Sequence, residues 1–349
     1  MAKVNQQELA KRLNLSQTTV SRALANHPAI NAETKALVLE AAAMTGYFQR
    51  IKRGNPASDQ NQPSTIGVLI SIPEGNSGPS ETFQEVLRGI ADKSSVNGFI
   101  LDVVYHDPGS NSGTGLIRRI RDANWTGLIM IYPIARELAH ELANQAACVS
   151  IIENYRHDLI DSVDVDQAEG ILSIVNHLSD QGHGKIAYMS WAYSLPTPWV
   201  QQRFGSYVQG LYTCGLDFDP ELVLNVRMED QVKPEACTKW AIECIGKGVT
   251  AIVCAADHQA YHLVHDLEKE GIRVPEDVSI TGFDGITAPF SQKQLATIKV
   301  NYEELGRSAV HQLLRRIEQP TAPRRHILVD GDLIKGETTN IPASMGSLA

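Results

Sequence analysis

From Ile66 onward the chain alternates between short apolar runs and longer segments whose apolar residues recur every three or four positions. Ile66-Gly-Val-Leu-Ile70 has no polar break, as expected of a strand covered on both faces. Residues 81–97 place Phe83, Val86, Leu87 and Ile90 at helical spacing. The pattern then predicts strand 99–105, helix 112–122, strand 127–131, helix 135–145 and strand 149–152. A second series follows, with strands 185–190, 250–254 and 278–281, and helices 167–181, 202–214, 232–247 and 259–271. A further helix is expected over 303–318 and a last strand over 326–329. Strands alternating with helices in this way predict parallel sheets joined by right-handed crossovers.

The first 47 residues follow a different rule, with three short helices. Asn5-Gln-Gln-Glu8 resembles a capping box, and Leu9 and Leu13 form the apolar stripe of the helix it starts. Asn14-Leu15 reads as a tight turn. Ser16 is placed to cap a second helix in which Val20 and Leu24, four apart, point inward. Gln17, Thr18, Ser21 and Arg22 occupy its other faces. Short or forked polar groups of this kind suit a helix that enters the DNA major groove. Asn31 caps the third helix, 32–44, with Leu37, Ala41 and Met44 on one face, and Gly46 stands at its end.

Charge sharpens the division. The chain has 349 residues and net charge −9. Residues 1–54 carry eight basic and three acidic side chains, net +5; the remainder carries 23 and 37, net −14. A basic head on an acidic body points to nucleic acid as the head's partner. No apolar run approaches a membrane span, the polar start carries no secretory signal pattern, and five cysteines are scattered without a Cys-x-x-Cys pair. A reduced, cytoplasmic protein without a membrane partner is expected.

The segment Leu15-Ser-Gln-Thr-Thr-Val-Ser-Arg-Ala-Leu24, with Asn26-His-Pro28 and the closing Gly46-Tyr47, resembles the DNA-binding head of the LacI (lactose repressor)/GalR-type family of bacterial transcription regulators. In the body, Arg273-Val-Pro-Glu-Asp-Val-Ser-Ile-Thr-Gly-Phe-Asp284 carries the same resemblance. It implies an α/β chain: an N-terminal three-helix helix-turn-helix head joined to a two-lobed periplasmic-binding-protein-like body of two Rossmann-like parallel-sheet subdomains. The implied boundaries are 1–47 for the head, 48–65 for a linker, 66–163 with 301–322 for the first lobe, 164–299 with 323–340 for the second, and 341–349 for a tail. The resemblance makes Gln17, Thr18 and Arg22 base readers, and gives Ser16, Thr19, Ser21 and Asn26 to phosphates or the turn. Arg50, Lys52 and Arg53 add phosphate contacts.

In such a family a small effector, commonly a sugar, lies between the lobes and controls the affinity of a homodimer for a pseudo-palindromic operator in double-stranded DNA. Ligands of α/β sheets gather beyond the carboxyl ends of strands. Ser71, Glu153, Trp191, Asp257 and Asp284 all follow predicted strands. The resemblance makes Arg203 and Asp284 a polar clamp, and Trp191 and Trp199 offer flat faces for a sugar ring. The chain departs from the family in three places. Ala256-Asp257 stands where Asn-Asp is frequent, Val300 where an amide is frequent, and Pro56 where a minor-groove wedge leucine is usual. Gly54, Pro56 and Pro63 disfavour a helix through the linker, since an interior proline costs about 3 kcal/mol. His258, His262 and His265 share a helix face, but interface or surface histidines are the plainer reading than a metal site, and no cofactor is expected. Gly246-Lys247-Gly248 lacks the frame of a phosphate-binding loop, and no Gly-x-Ser-x-Gly or His-Glu-x-x-His is present. An enzyme on the same fold is therefore disfavoured. A transport-type solute-binding protein is disfavoured by the basic helical head.

Overall fold

A computed structural model of the chain describes residues 5–45, 47, 64–71, 81–106, 113–132, 134–152, 160–191, 198–224, 234–288, 291 and 293–342. They belong to two units, Met1–Asp164 with Tyr302–Val329, and Val165–Asn301 with Asp330–Ala349.

The first unit opens with α1 (Gln6–Arg12), α2 (Gln17–Leu24) and α3 (Ala32–Met44). Each begins where the sequence supplies a cap. Asn5 Oδ1 accepts the Glu8 N–H at 2.9 Å, Ser16 Oγ the Thr19 N–H at 3.0 Å, and Asn31 Oδ1 the Thr34 N–H at 2.8 Å. Each cap satisfies a donor that the first turn leaves unpaired. The turns around α2 use Asn14 (φ +53°) and Asn26 (φ +50°), a residue type that tolerates the left-handed region. Leu9, Val20, Ala23, Leu24, Val38 and Leu39 are buried.

One expectation for α3 is reversed. Leu37 and Met44 are exposed, whereas Lys35, Ala36, Val38, Leu39, Glu40 and Ala42 are buried. The cause is tertiary: α3 is apolar on several sides, and the body of the first unit packs on a different one, Lys35 and Glu40 included.

That body is a six-stranded sheet. In chain order its elements are β1 (Thr65–Ser71), α4 (Glu81–Val96), β2 (Ile100–His106), α5 (Gly113–Asp122), β3 (Trp125–Ile131), α6 (Arg136–Ala143), β4 (Ala147–Ile151) and β5 (Asp161–Val165). Thr65, assigned to the linker in sequence, is already part of β1. The strand order, including β11 (His326–Val329), is β11-β5-β4-β3-β1-β2. The pairs β1–β2, β1–β3, β3–β4 and β4–β5 are parallel. Every residue of β1 is buried, in keeping with its unbroken apolar run.

α11 (Tyr302–Glu318) closes this unit against α4. A Cβ on Gly89 would meet the Glu303 carbonyl, and one on Gly306 the Val86 carbonyl, so the backbones touch where glycine stands. Arg88 Nε–Glu303 (3.1 Å) and Arg307 Nε–Asp92 (3.2 Å) flank the contact.

The second unit continues with α7 (Gln167–Asp180), β6 (Ile186–Met189), α8 (Pro198–Thr213), β7 (Val223–Leu224), α9 (Pro234–Gly246), β8 (Ala251–Cys254), α10 (Asp257–Lys269) and β9 (Ser279–Thr281). Its parallel sheet runs β7-β6-β8-β9. β10 (Thr297–Val300) pairs antiparallel with β12 (Gly331–Ile334). His183 pins the C-terminal segment: its Nδ1 lies 2.8 Å from the Thr250 hydroxyl and its Nε2 3.0 Å from the Asn340 carbonyl.

The strand His326–Val329 corrects the expected layout, because it lies at the edge of the first unit's sheet and not in the second unit. The last crossing of the chain falls after it, between Val329 and Asp330. Asp161 explains the placement. Its fully buried carboxylate accepts from Arg316 Nε (2.6 Å), Arg316 Nη2 (3.0 Å) and the Arg325 N–H (2.6 Å), fastening β5 to α11 and to the approach to β11. Among the described residues no helix is long and apolar enough to cross a membrane.

Two predictions follow from these contacts. Gly89→Ala should destabilise the protein by roughly 1–3 kcal/mol, because an added methyl group overpacks a backbone contact; a denaturant titration reads this. Asp161→Ala should cost about 3–5 kcal/mol, since it strands Arg316 and the Arg325 N–H. Burial pushes the Asp161 carboxyl up, but the Arg316, Arg325 and Gln312 hydrogen bonds outweigh it and hold it below the usual range. Its stabilisation is therefore full above the unfolded value of about 3.9 and fades as pH falls through the lower folded value. The stability gap between wild type and Asp161→Ala should accordingly narrow in strongly acidic solution.

Candidate functional site

The first candidate surface is α2. Val20, Ala23 and Leu24 are buried, which turns the remaining faces outward. Ser16, Gln17, Thr18 and Arg22 are exposed, and Thr19 and Ser21 half-exposed. Ser16 holds the start of the helix, its hydroxyl lying 2.8 Å from that of Thr19. Gln17, Thr18, Ser21 and Arg22 thus lie outside the capping bonds and off the buried face. This is the part of such a helix that reaches base edges when inserted in a groove.

Asn26, grouped with these residues in sequence, is placed differently. It is buried, its Nδ2 donates to the Phe99 carbonyl at 2.8 Å, and its backbone carbonyl accepts from the Ser95 hydroxyl at 3.1 Å. In this conformation it serves the turn and the body, and faces no solvent that DNA would replace. Arg50, Lys52 and Arg53 lie outside the described residues, as do Gly46 and linker positions 48–63 with Gly54, Pro56 and Pro63.

The second candidate is in the second unit, around Arg203 on α8. Arg203 is 4% exposed, and each of its three guanidinium nitrogens donates one hydrogen bond. Nε donates to Gln167 Oε1 at 2.6 Å, Nη1 to the Ala255 carbonyl, and Nη2 to Asp284 Oδ1 at 3.1 Å. Its flat faces are covered too: the guanidinium carbon lies 3.7 Å from the centroid of Phe283 and 4.6 Å from that of Trp199. A buried cation is tolerable only with such partners.

Asp284 is held from the backbone. Its φ of +127° is strained for a side-chain-bearing residue, and it bridges to β10. Its N–H donates to the Ile298 carbonyl at 3.0 Å, and its carbonyl accepts the Val300 N–H at 3.2 Å. Strain of this sort persists where surrounding bonds enforce it, and it clusters at ligand sites. Asp257 supplies the enforcement. Wholly buried at the start of α10, its carboxylate accepts from the Thr297 hydroxyl at 2.6 Å and from the Ile286 N–H at 2.8 Å. Burial, and then the negative charge of Asp284, raise its carboxyl above the usual range. The oxygens of Asp257 are committed to holding the 284–286 loop.

Trp191 follows β6 and is half-buried, with His258 edge-on at 4.8 Å between ring centroids and His262 at 5.3 Å. Burial lowers the His258 ring's basicity, against the opposing charge of Asp284. Among the described residues no group of three or more His, Cys, Asp or Glu is arranged to hold a metal ion. Ser71 ends β1 in the first unit and is buried, paired in register with His106; Glu153 lies outside the described residues.

The sequence reading brought Arg203, Asp284, Asp257 and Trp199 to one neighbourhood and missed Gln167 and Phe283. Gln167 carried a signal, since it directly follows the chain's first crossing between units. Phe283, between Gly282 and Asp284, carried no such signal.

The description "Periplasmic binding protein-like domain" fits residues 175–339 as a family. The HTH-type transcriptional regulator RegA of Clostridium saccharobutylicum is 23% identical over 337 residues, 95% of this chain and 98% of that protein. The HTH-type transcriptional repressor CytR of Escherichia coli (strain K12) is 25% identical over 342 residues, 96% of each. Among solved structures, the lac repressor dimer bound to operator and the anti-inducer ONPF superposes with a TM-score of 0.65, at 20% identity over 97% of this chain and 99% of that one. A LacI family transcriptional regulator from Enterococcus faecium with bound ribose gives 0.65 at 23% identity, over 80% and 99%. These structural likenesses establish the fold.

Arg203→Ala should destabilise the second unit by about 3–5 kcal/mol, because it strands a buried amide, a carbonyl and a carboxylate together. Asp284→Asn keeps an oxygen for Arg203 and should cost well under half as much. Chemical denaturation of both variants tests the difference, and equal losses would show that Arg203 has no structural role beyond its ion pair.

Proposed function

We propose that the chain is a member of the LacI (lactose repressor)/GalR-type family of bacterial transcription regulators, as its likeness to RegA and CytR along almost its whole length supports, and that it is a cytoplasmic repressor whose affinity for operator DNA is set by a sugar or related metabolite. The observation that carries the DNA half is α2: Ser16 caps it, Val20 and Leu24 anchor it, and Gln17, Thr18 and Arg22 stand free in solvent. Gln17, Thr18 and Arg22 read base edges, Ser16, Thr19 and Ser21 contact phosphates, and Arg50, Lys52 and Arg53 add charge. The protein acts as a homodimer, so that two heads meet the two halves of a pseudo-palindromic operator.

Arg203 and Asp284 support the effector half. A guanidinium and a carboxylate fixed side by side present a donor pair next to an acceptor pair, which matches neighbouring hydroxyls on a sugar. Trp199 and Trp191 add flat apolar faces close by. The ribose in the E. faecium relative and the cellobiose in the regulator CelR are ligands of that chemistry. Asp257 acts here through the 284–286 loop it holds. Effector binding favours one of two conformations that differ in operator affinity, and by linkage operator binding alters effector affinity equally.

Selection of binding sequences from genomic DNA, followed by titration at fixed salt, tests the reading. Arg22→Ala should lower the ratio of specific to nonspecific affinity by roughly 1–3 kcal/mol, while Lys52→Ala weakens binding to all sequences and reduces the salt slope by about one unit. An unchanged ratio in Arg22→Ala would remove α2 from base recognition. A thermal-shift screen of sugars and nucleosides on the same protein identifies the effector.

A further inference from the structure

The head is not suspended from the body in this protein; it is seated on it. Four hydrogen bonds cross the seam between the helical head and α4 and β2. Asn26 Nδ2 donates to the Phe99 carbonyl (2.8 Å), the Ser95 hydroxyl to the Asn26 carbonyl (3.1 Å), Lys35 Nζ to Ser95 Oγ (2.8 Å), and Gln84 Nε2 to Glu40 Oε2 (3.1 Å). Three head residues that would be water-covered in a free head are buried by it: Asn26 at 5%, Lys35 at 2% and Glu40 at 9% exposure. Lys35 and Ser95 are 60 positions apart in sequence and Asn26 and Phe99 are 73 apart, so the seam is a tertiary one and not a local turn.

The seam has two properties that matter. First, it leaves the reading face of α2 clear: Ser16, Gln17, Thr18 and Arg22 remain exposed while α3 is covered. Second, its polar groups are only partly satisfied. Asn26 Oδ1 and the Tyr105 hydroxyl are buried without a hydrogen-bond partner among the described residues. Burial lowers the basicity of Lys35, against the charge of Asp92, and raises the Glu40 carboxyl despite its bond from Gln84. Unpaired or desolvated groups cost free energy and offset part of what the apolar burial at the seam contributes.

We propose that this seam is a reversible latch that sets the orientation of the recognition helix. α4 is the element that links the head to the rest. It carries Gln84 and Ser95 toward the head, and Arg88 and Asp92 toward α11, which begins at Tyr302 immediately after the chain's crossing from the second unit. The head is thus joined to α11 through packed helices.

The inference rests on the DNA-binding reading for its second readout only. The first uses the intact protein labelled with 15N, without DNA. Relaxation of the head amides should report tumbling with the whole protein in wild type, and faster independent tumbling in Ser95→Arg, which removes two of the four bonds and places a second cation beside Lys35. Gln84→Glu, which sets a carboxylate against Glu40 at a half-buried position, should do the same to a smaller extent and guards against misfolding of the first variant. Head amides that tumble independently in wild type, or identically in all three proteins, would overturn the latch. The second readout is operator affinity at fixed salt. If the oriented head is the competent one, lowering its population to a tenth weakens binding roughly tenfold. The salt slope should not change, because no phosphate contact is lost. Unchanged or tighter operator binding by variants whose heads are released would overturn the orienting role. A head docked in wild type and released in the variants, with no specific operator complex formed by any of the three proteins, would instead refute the DNA-binding reading and leave the docking standing.

Discussion

The contact between α4 and α11 is the constraint on which the first unit depends. α11 is contributed by the chain after its return from the second unit, some two hundred positions beyond α4, and nothing local brings the two together. What does is the absence of side chains at Gly89 and Gly306, which lets each helix rest on the other's backbone. Buried Leu305, Ala309, Val310 and Leu313 then fill the space down to the sheet. Gly127 continues the same logic, since a Cβ there would meet Leu313. The flanking ion pairs are partly exposed, so each is worth little by itself; they select alignment more than they supply stability. α3 in turn sits on α4 and β2, so α4 packs against both the head and α11.

The second unit is organised by the opposite strategy, a buried charge. Arg203 enters from α8, Gln167 from α7, Ala255 from the end of β8, and Asp284 from the loop after β9. Four elements distant in sequence are thus required to converge on one guanidinium. A buried ion pair is seldom a net gain over apolar packing, which leaves specificity as its use. Its planar donors accept a single arrangement of partners, and the strained backbone at Asp284 is the sign that the arrangement is enforced. An apolar residue in place of Arg203 would pack against Phe283 and Trp199 and impose no direction on Asp284.

The legible part of this structure was whatever depends on local chemistry. Caps at Asn5, Ser16 and Asn31 fixed helix starts to the residue, and the alternation of apolar runs with helical spacing located the main strands. Arg203 and Asp284 were singled out by resemblance together with their positions, and the structure joins them at 3.1 Å. Tertiary choices were illegible. Strand His326–Val329 has an exposed and half-buried pattern that suits any sheet edge, and only Asp161, reached by Arg316 and the Arg325 N–H, decides which. The strand at 161–165 was passed over because its two aspartates, Asp161 and Asp164, break an apolar run, and both prove to be buried. Residues 32–44 are apolar on several sides, so sequence named one stripe, with Leu37 and Met44, while the structure buries another. A helix apolar all round has no single inward face until a partner is known.

That last failure bears on how a regulator of this design transmits a signal. A head with an unambiguous inward face folds onto itself and needs nothing else, and is then coupled to its body only through the tether. A head whose third helix has apolar residues to spare, with Lys35 and Glu40 set among them, is incomplete alone and gains by docking. The polar members offset part of that gain, since Lys35 and Glu40 are buried when the head is seated and burial of such groups is costly. An interface of this balance is what allosteric control requires. A purely apolar seam would be too strong for the differential affinity of one small ligand to bias, because a ligand shifts an equilibrium by no more than that difference. A fully solvated head would give the body no grip. The buried amide of Asn26 and the ammonium of Lys35 make this seam neither purely apolar nor fully solvated.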